Sequence, residues 1–190
     1  RPDTVTAGKL EIIKKAGAGR ISINPQTVHN KTLETIGRKH TYEEFETAFF
    51  LAREMGFNNI NCDLIAGLPN ESSEEFSQSV DKILSLSPEN ITVHTLYLKR
   101  ASSLKKQGFS AEGNYDIEKM VNYAQTKLPQ NGFNPYYLYK QKATLGNLEN
   151  VGFAKENFEC IYNIDTMSDE STVFALGAGA VSKIVLGDRI

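Results

Sequence analysis

The segment Asn59–Ser72 constrains this chain more than any other stretch. Ile60, Cys62, Leu64 and Ala66 alternate with Asn61, Asp63, Ile65 and Gly67, and a period of two with unlike faces marks a strand. Asp63 is expected on the more polar face. Gly67-Leu-Pro69 stops the strand, and Ser72-Ser-Glu-Glu75 is a capping box opening an amphipathic helix with Phe76, Val80, Ile83 and Leu84 on one side. A carboxylate therefore stands near the C-terminal end of a strand, the end at which parallel α/β sheets and barrels bind ligands.

Related units flank it. Leu10, Ile12, Ile13 and Ala16 suit a helix closed by Gly17-Ala-Gly19. Arg20 to Gln26 reads as a short strand with Ile21 and Ile23 on one face and Ser22, Asn24 and Gln26 on the other. Pro25 has no N–H to donate, so regular pairing should end near Asn24. Thr27 to His40 reads as a polar connection with a helical turn around Leu33 and Ile36. Thr41-Tyr-Glu-Glu44 is a second capping box, followed at helical spacing by Phe45, Ala48, Phe49, Ala52 and Met55, with Gly56 as the stop. Beyond Pro88, Asn90 to Leu98 reads as a strand with Val93, Thr95 and Tyr97 on one face and Thr92, His94 and Leu96 on the other. Alternating helices and strands predict parallel pairing through right-handed crossovers.

The character then changes. Lys99 to Gly113 reads as an irregular solvated linker, and Ile117, Met120, Val121, Ala124 and Leu128 align on a helix broken at Pro129-Gln-Asn-Gly132. Tyr136-Tyr-Leu-Tyr139 suggests a strand of a different layer, and the region from Asn147 to Asp165 a loop-rich stretch with two short strands. Gly177-Ala-Gly-Ala180 would let a second backbone segment or a ligand approach closely. The domain division expected is 1–98, a linker at 99–114, and 115–190.

A net charge of -2 over 190 residues gives no global field to draw nucleic acid or an anionic membrane surface. No apolar run approaches the roughly 20 residues of a membrane helix. The two cysteines, Cys62 and Cys160, form neither a disulfide framework nor a metal site, which favours a cytoplasmic setting. Phosphate-loop, zinc-helix and serine-elbow motifs are missing, and His29, His40 and His94 read as ordinary surface or core histidines. A start at Arg1-Pro-Asp3 and a stop within Ile184–Ile190 read as a piece of a longer polypeptide.

Chemistry is expected where strands end. Gln26, Asp63 and Tyr97 fall at or near the C-terminal ends of three successive strands spaced about 4.8 Å apart. Asp63 could accept from two vicinal hydroxyls, Gln26 offers a donor and an acceptor, and Tyr97 an aromatic face with a hydroxyl. Arg38 could pair with a carboxylate in forked geometry. On pattern alone the alternative stays open that Asp63 caps the next helix and Arg38 is merely exposed.

Four segments add a resemblance: Arg20-Ile-Ser-Ile-Asn-Pro-Gln-Thr27, Ile36-Gly-Arg-Lys-His-Thr41, Asn61-Cys-Asp-Leu-Ile-Ala-Gly-Leu-Pro69 and Leu176-Gly-Ala-Gly-Ala-Val-Ser182. Together they resemble the oxygen-independent coproporphyrinogen III oxidases and their relatives among the radical S-adenosylmethionine enzymes. Tyr136-Tyr-Leu-Tyr139 and Asn147-Leu-Glu-Asn-Val-Gly-Phe153 look nearest to the coproporphyrinogen dehydrogenase-like branch. The resemblance implies an α/β fold, the second half of a partial (β/α)6 TIM-like barrel with a C-terminal α+β extension. It implies S-adenosylmethionine held by Gln26, Arg38 and Asp63, with Tyr97 and Val181 bordering the nucleoside. It also implies a 4Fe-4S cluster, whose three-cysteine loop this chain lacks, so that the chain alone should be inert.

The activity so implied is oxidative decarboxylation of coproporphyrinogen III propionates to vinyl groups, with an electron donor such as reduced flavodoxin. A haem-binding chaperone of the same family is the alternative. A truncated barrel would leave the strand at Arg20 as an open edge through which two copies could pair.

Overall fold

In the computed structural model, which describes residues 1–97, 116–139, 148–168 and 170–185, the chain forms its elements where local chemistry starts and stops them. Helix α1 (Ala7–Lys15) begins at Thr6, whose hydroxyl accepts from Lys9 N–H, and Gly17 ends it at φ 88°. The short strand β1 (Ile21–Ser22) follows, then the single-turn helix α2 (Asn30–Thr35). Helix α3 (Tyr42–Glu54) and, after strand β2 (Ile60–Ala66), helix α4 (Ser73–Ser85) each open on a complete capping box. In these, Thr41 N–H donates to Glu44 and Ser72 N–H to Glu75, both at 2.8 Å. Strand β3 (Asn90–Thr95), helix α5 (Asp116–Gln130), strands β4 (Asn134–Tyr139) and β5 (Asn150–Ala154) and helix α6 (Ile161–Met167) complete the order.

The strands form one sheet in the order β1-β2-β3-β5-β4. β1, β2 and β3 run parallel, β5 is antiparallel to β3, and β4 is antiparallel to β5. Cys62, Leu64, Ile91 and Val93 are buried, in one core with Phe45, Phe49, Phe76, Ile83 and Met120 from α3, α4 and α5. Burying that face supplies the driving force for the arrangement. The parallel strands and their helices make the barrel arc expected from the sequence.

The details differ in three places. The Tyr136–Tyr139 strand is not a separate layer: antiparallel pairing through β5 carries the same sheet outward to β4. The stretch after Asn147 holds one strand and one helix, where two strands were expected. The regular part of β1 stops at Ser22, two residues before Asn24. The connection expected at 99–114 lies outside the described residues. Among the described residues no helix is long and apolar enough to cross a membrane.

Candidate functional site

Register decides which side chains meet. Asn61 pairs with Asn90, Asp63 with Thr92 and Ile65 with His94, and paired residues of a parallel ladder project to the same side. The face opposite the core therefore carries a polar row centred on Asp63. Its Oδ2 accepts from Asn24 Nδ2 at 2.6 Å and its Oδ1 from Asn61 Nδ2 at 2.7 Å. Thr92 Oγ1 donates to Asn61 Oδ1 at 3.1 Å, and His94 Nε2 stands 3.5 Å from Asp63 Oδ2. The Asp63 side chain keeps 19% of its exposure. A carboxylate has about four acceptor sites, so the two amide bonds leave capacity for a ligand.

Pro25 shapes the other half of the rim. Ile23 N–H donates to Asn61 O at 2.9 Å, and the next ladder acceptor, Asp63 O, would fall to residue 25. Proline has no N–H, so Gln26 N–H takes that carbonyl at 3.0 Å and the strand gains one residue over its neighbour. The cost is a left-handed backbone at Gln26, φ 72°. Gln26 is buried and pairs in register with Leu64, out of step with Asn24.

Surrounding groups brace this turn. His40 Nε2 lies 3.2 Å from Pro25 O, Thr27 Oγ1 donates to the Glu71 carboxyl, and Val28 N–H donates to Ser79 Oγ at 3.3 Å. Burial pushes the His40 imidazole down and the Glu71 carboxyl up to about 7. Neutral His40 then donates through Nε2 to the carbonyl.

Arg38 enters from the loop after α2, where Gly37 at φ 70° turns the chain. It lines a cavity of about 300 Å³ with Ile65, Leu68 and Leu96. Ile65 shares the face of Asp63, one step further along β2, so the Arg38 cavity adjoins the strand face that carries the carboxylate. At the end of β3, Leu96 lines this cavity, while Tyr97 lies on the other parity and is 39% exposed. Val181 is 85% exposed, in the segment closed by the Val173–Lys183 bridge. Sequence reading missed Asn24, Asn61 and His94. The signal was present as Asn61-x-Asp63 and Thr92-x-His94, but matching those pairs required the register.

Residues 1–83 match the family model of the radical SAM superfamily. The chain is a radical SAM relative. It is 46% identical over 187 residues, 97% of its length, to the oxygen-independent coproporphyrinogen-III oxidase-like protein HemZ of Bacillus subtilis, of which it covers 37%. It is 32% identical to the heme chaperone HemW of the same organism, over 94% of the chain and 45% of that protein. Among solved structures, the coproporphyrinogen III oxidase HemN of Escherichia coli superposes with a TM-score of 0.73 at 18% identity, covering 98% of this chain and 43% of that one. The chain thus spans less than half the length of these relatives, and its fold is a partial, TIM-like radical SAM fold.

The superfamily's cofactors are S-adenosylmethionine and a 4Fe-4S cluster, and the residues here treat the two differently. Asn24 Oδ1 is buried without a hydrogen-bond partner, on the amide that already orients Asp63. An orphaned acceptor beside a partly open carboxylate, with an arginine lining the cavity at the end of the same strand face, suits a nucleoside with an amino-acid tail. The cluster finds no such fit. Cys62 is buried on the core side of β2, Cys160 sits ahead of α6, and among the described residues no three His, Cys, Asp or Glu side chains converge.

Proposed function

We propose that this chain supplies the S-adenosylmethionine-holding rim of a radical SAM protein of tetrapyrrole metabolism. Its reaction on this reading is oxidative decarboxylation of coproporphyrinogen III propionates to vinyl groups. The observation that carries the reading is the Asp63 carboxylate, oriented by Asn24 and Asn61 and still partly open beside the Arg38 cavity.

Bound there, S-adenosylmethionine supplies the 5′-deoxyadenosyl group on which radical SAM chemistry depends. The chain's own residues bind and orient. Asp63 accepts from the ribose hydroxyls, Arg38 pairs with the methionine carboxylate, and Gln26, on the turn after β1, is assigned to the same cofactor. Tyr97 and Val181 are assigned to the nucleoside's border. Similarity to HemZ supports this substrate class, and an external reductant of the flavodoxin kind is assigned to supply electrons.

Similarity to HemW supports a second reading, in which the protein carries haem. One experiment separates them. The complete protein is incubated anaerobically with a reductant, S-adenosylmethionine and coproporphyrinogen III, and porphyrin products and 5′-deoxyadenosine are measured. Vinyl products support the oxidase. Stoichiometric haem binding with a Soret shift and no turnover supports the chaperone. If neither S-adenosylmethionine cleavage nor haem binding occurs, both readings fail.

A further inference from the structure

Deepening the site reading above and resting on it, we propose that His94 is a positioning residue for Asp63, its tautomer reinforced by Tyr139, so that strand β4 helps to hold the nucleoside. The geometry is a three-member chain across the sheet. His94 Nε2 lies 3.5 Å from Asp63 Oδ2, and the phenol oxygen of Tyr139 lies 3.1 Å from His94 Nδ1. The two rings meet edge to face at 6.3 Å. At 3.5 Å the imidazole acts on the carboxylate mainly through charge and dipole, since a hydrogen bond is shorter.

Proton bookkeeping fixes the direction of the chain. An ionised carboxylate can only accept, so the pair is favoured when the nitrogen facing Asp63 carries hydrogen. A neutral imidazole has one N–H. In that neutral form Nδ1 is the acceptor, and Tyr139 O–H donates to it. The phenol keeps its proton, because burial and the charge of Asp63 both hold its pKa above the ordinary value. The Tyr139 hydroxyl reinforces the tautomer that Asp63 favours, and the other one aims a lone pair at Asp63.

Tyr139 is itself held in place. Asn150 Nδ2 donates to Tyr139 O at 3.3 Å while Asn150 Oδ1 accepts from Thr95 N–H at 2.8 Å, which ties β4 to the end of β3. Tyr137 stacks beside Tyr139, with rings 6.4 Å apart and 4° from parallel. The antiparallel pair thus presents a fixed phenol to the imidazole, and the imidazole faces the only Asp63 oxygen that Asn24 also contacts.

The test uses S-adenosylmethionine binding to the complete protein by calorimetry, with nitrogen-15 spectra of His94 as a second readout. In the wild type His94 should be the Nε2–H tautomer. Tyr139→Phe should mix the tautomers and weaken binding several-fold. His94→Leu should weaken it about tenfold, the scale of one lost polar contact. His94→Gln, whose amide can place N–H where Nε2–H stood, should recover most of that loss. The proposal is overturned by an Nδ1–H tautomer in the wild type. Equal losses in the Gln and Leu variants, or unchanged affinity in both, overturn it as well. Asp63→Ala is the control: if it too leaves binding unchanged, the site reading itself has failed; if it alone weakens binding, only the role of His94 has.

Discussion

Asn24 Nδ2 donates to Asp63 Oδ2 over 2.6 Å, although the residue after Asn24 cannot take part in the ladder that joins their strands. The extra residue forced by Pro25 falls after Asn24, so Asn24 keeps the face of Asp63 while Gln26 leaves the alternation. One imino acid thereby sets where an amide and a carboxylate meet. Asn24→Ala removes that bond and should weaken S-adenosylmethionine binding by about 1–2 kcal/mol. Calorimetry reads the loss, and unchanged far-UV dichroism shows the fold intact.

A second relationship locks the far end of the barrel arc. Arg53 Nη2 lies 2.8 Å from Glu89 Oε1, and Glu89 Oε2 accepts from Ile60 N–H at 2.9 Å. Arg53 also donates to the carbonyls of Phe57 and Ser87. The end of α3 and the starts of β2 and β3 are joined through one mostly buried carboxylate. Glu89→Ala strands the guanidinium and the Ile60 amide, and should cost roughly 3 kcal/mol, read as a lower urea midpoint.

Glu71 should make stability fall as pH rises. Its carboxyl, buried with Oε2 unpartnered, has a pKa of about 7 against 4.5 unfolded. A raised folded pKa gives stability that is whole below the unfolded value and lost on passing the folded one. The loss therefore runs from about pH 4.5 to about pH 7, and its scale is roughly 3 kcal/mol. Glu71→Gln should flatten urea midpoints across that window. A slope equal to that of the wild type would contradict this.

Gly152 is needed for its missing side chain. A Cβ there would run into the Tyr137 ring, which lies over β5 with its hydroxyl 3.4 Å from Thr92 Oγ1. Gly152→Ala must displace Tyr137 and should cost about 1–3 kcal/mol. Near-ultraviolet dichroism of the tyrosines would change with it.

Legibility in the sequence followed the range of the interactions. Helices α3 and α4 were readable because a capping box and an apolar stripe lie within a dozen residues. Asp63 at a strand's polar face was readable for the same reason. The pairing of Asp63 with Thr92 was not, because period two states which residues share a face of one strand but not which face of the next strand joins it. Tyr97 was therefore grouped with Asp63, while the structure carries the row through His94 to the mouth lined by Leu96. β5 joins the sheet by antiparallel pairing with β3, from Asn90–Ala154 to Val93–Val151, across a sequence separation beyond any local signal.

The central claim, that Asp63 holds the nucleoside, is tested most directly by titrating S-adenosylmethionine into the complete protein and its Asp63→Ala variant. The account predicts that the variant folds and binds more weakly by about 1–3 kcal/mol, through lost charge-assisted hydrogen bonds. Equal affinities in two folded proteins would contradict it.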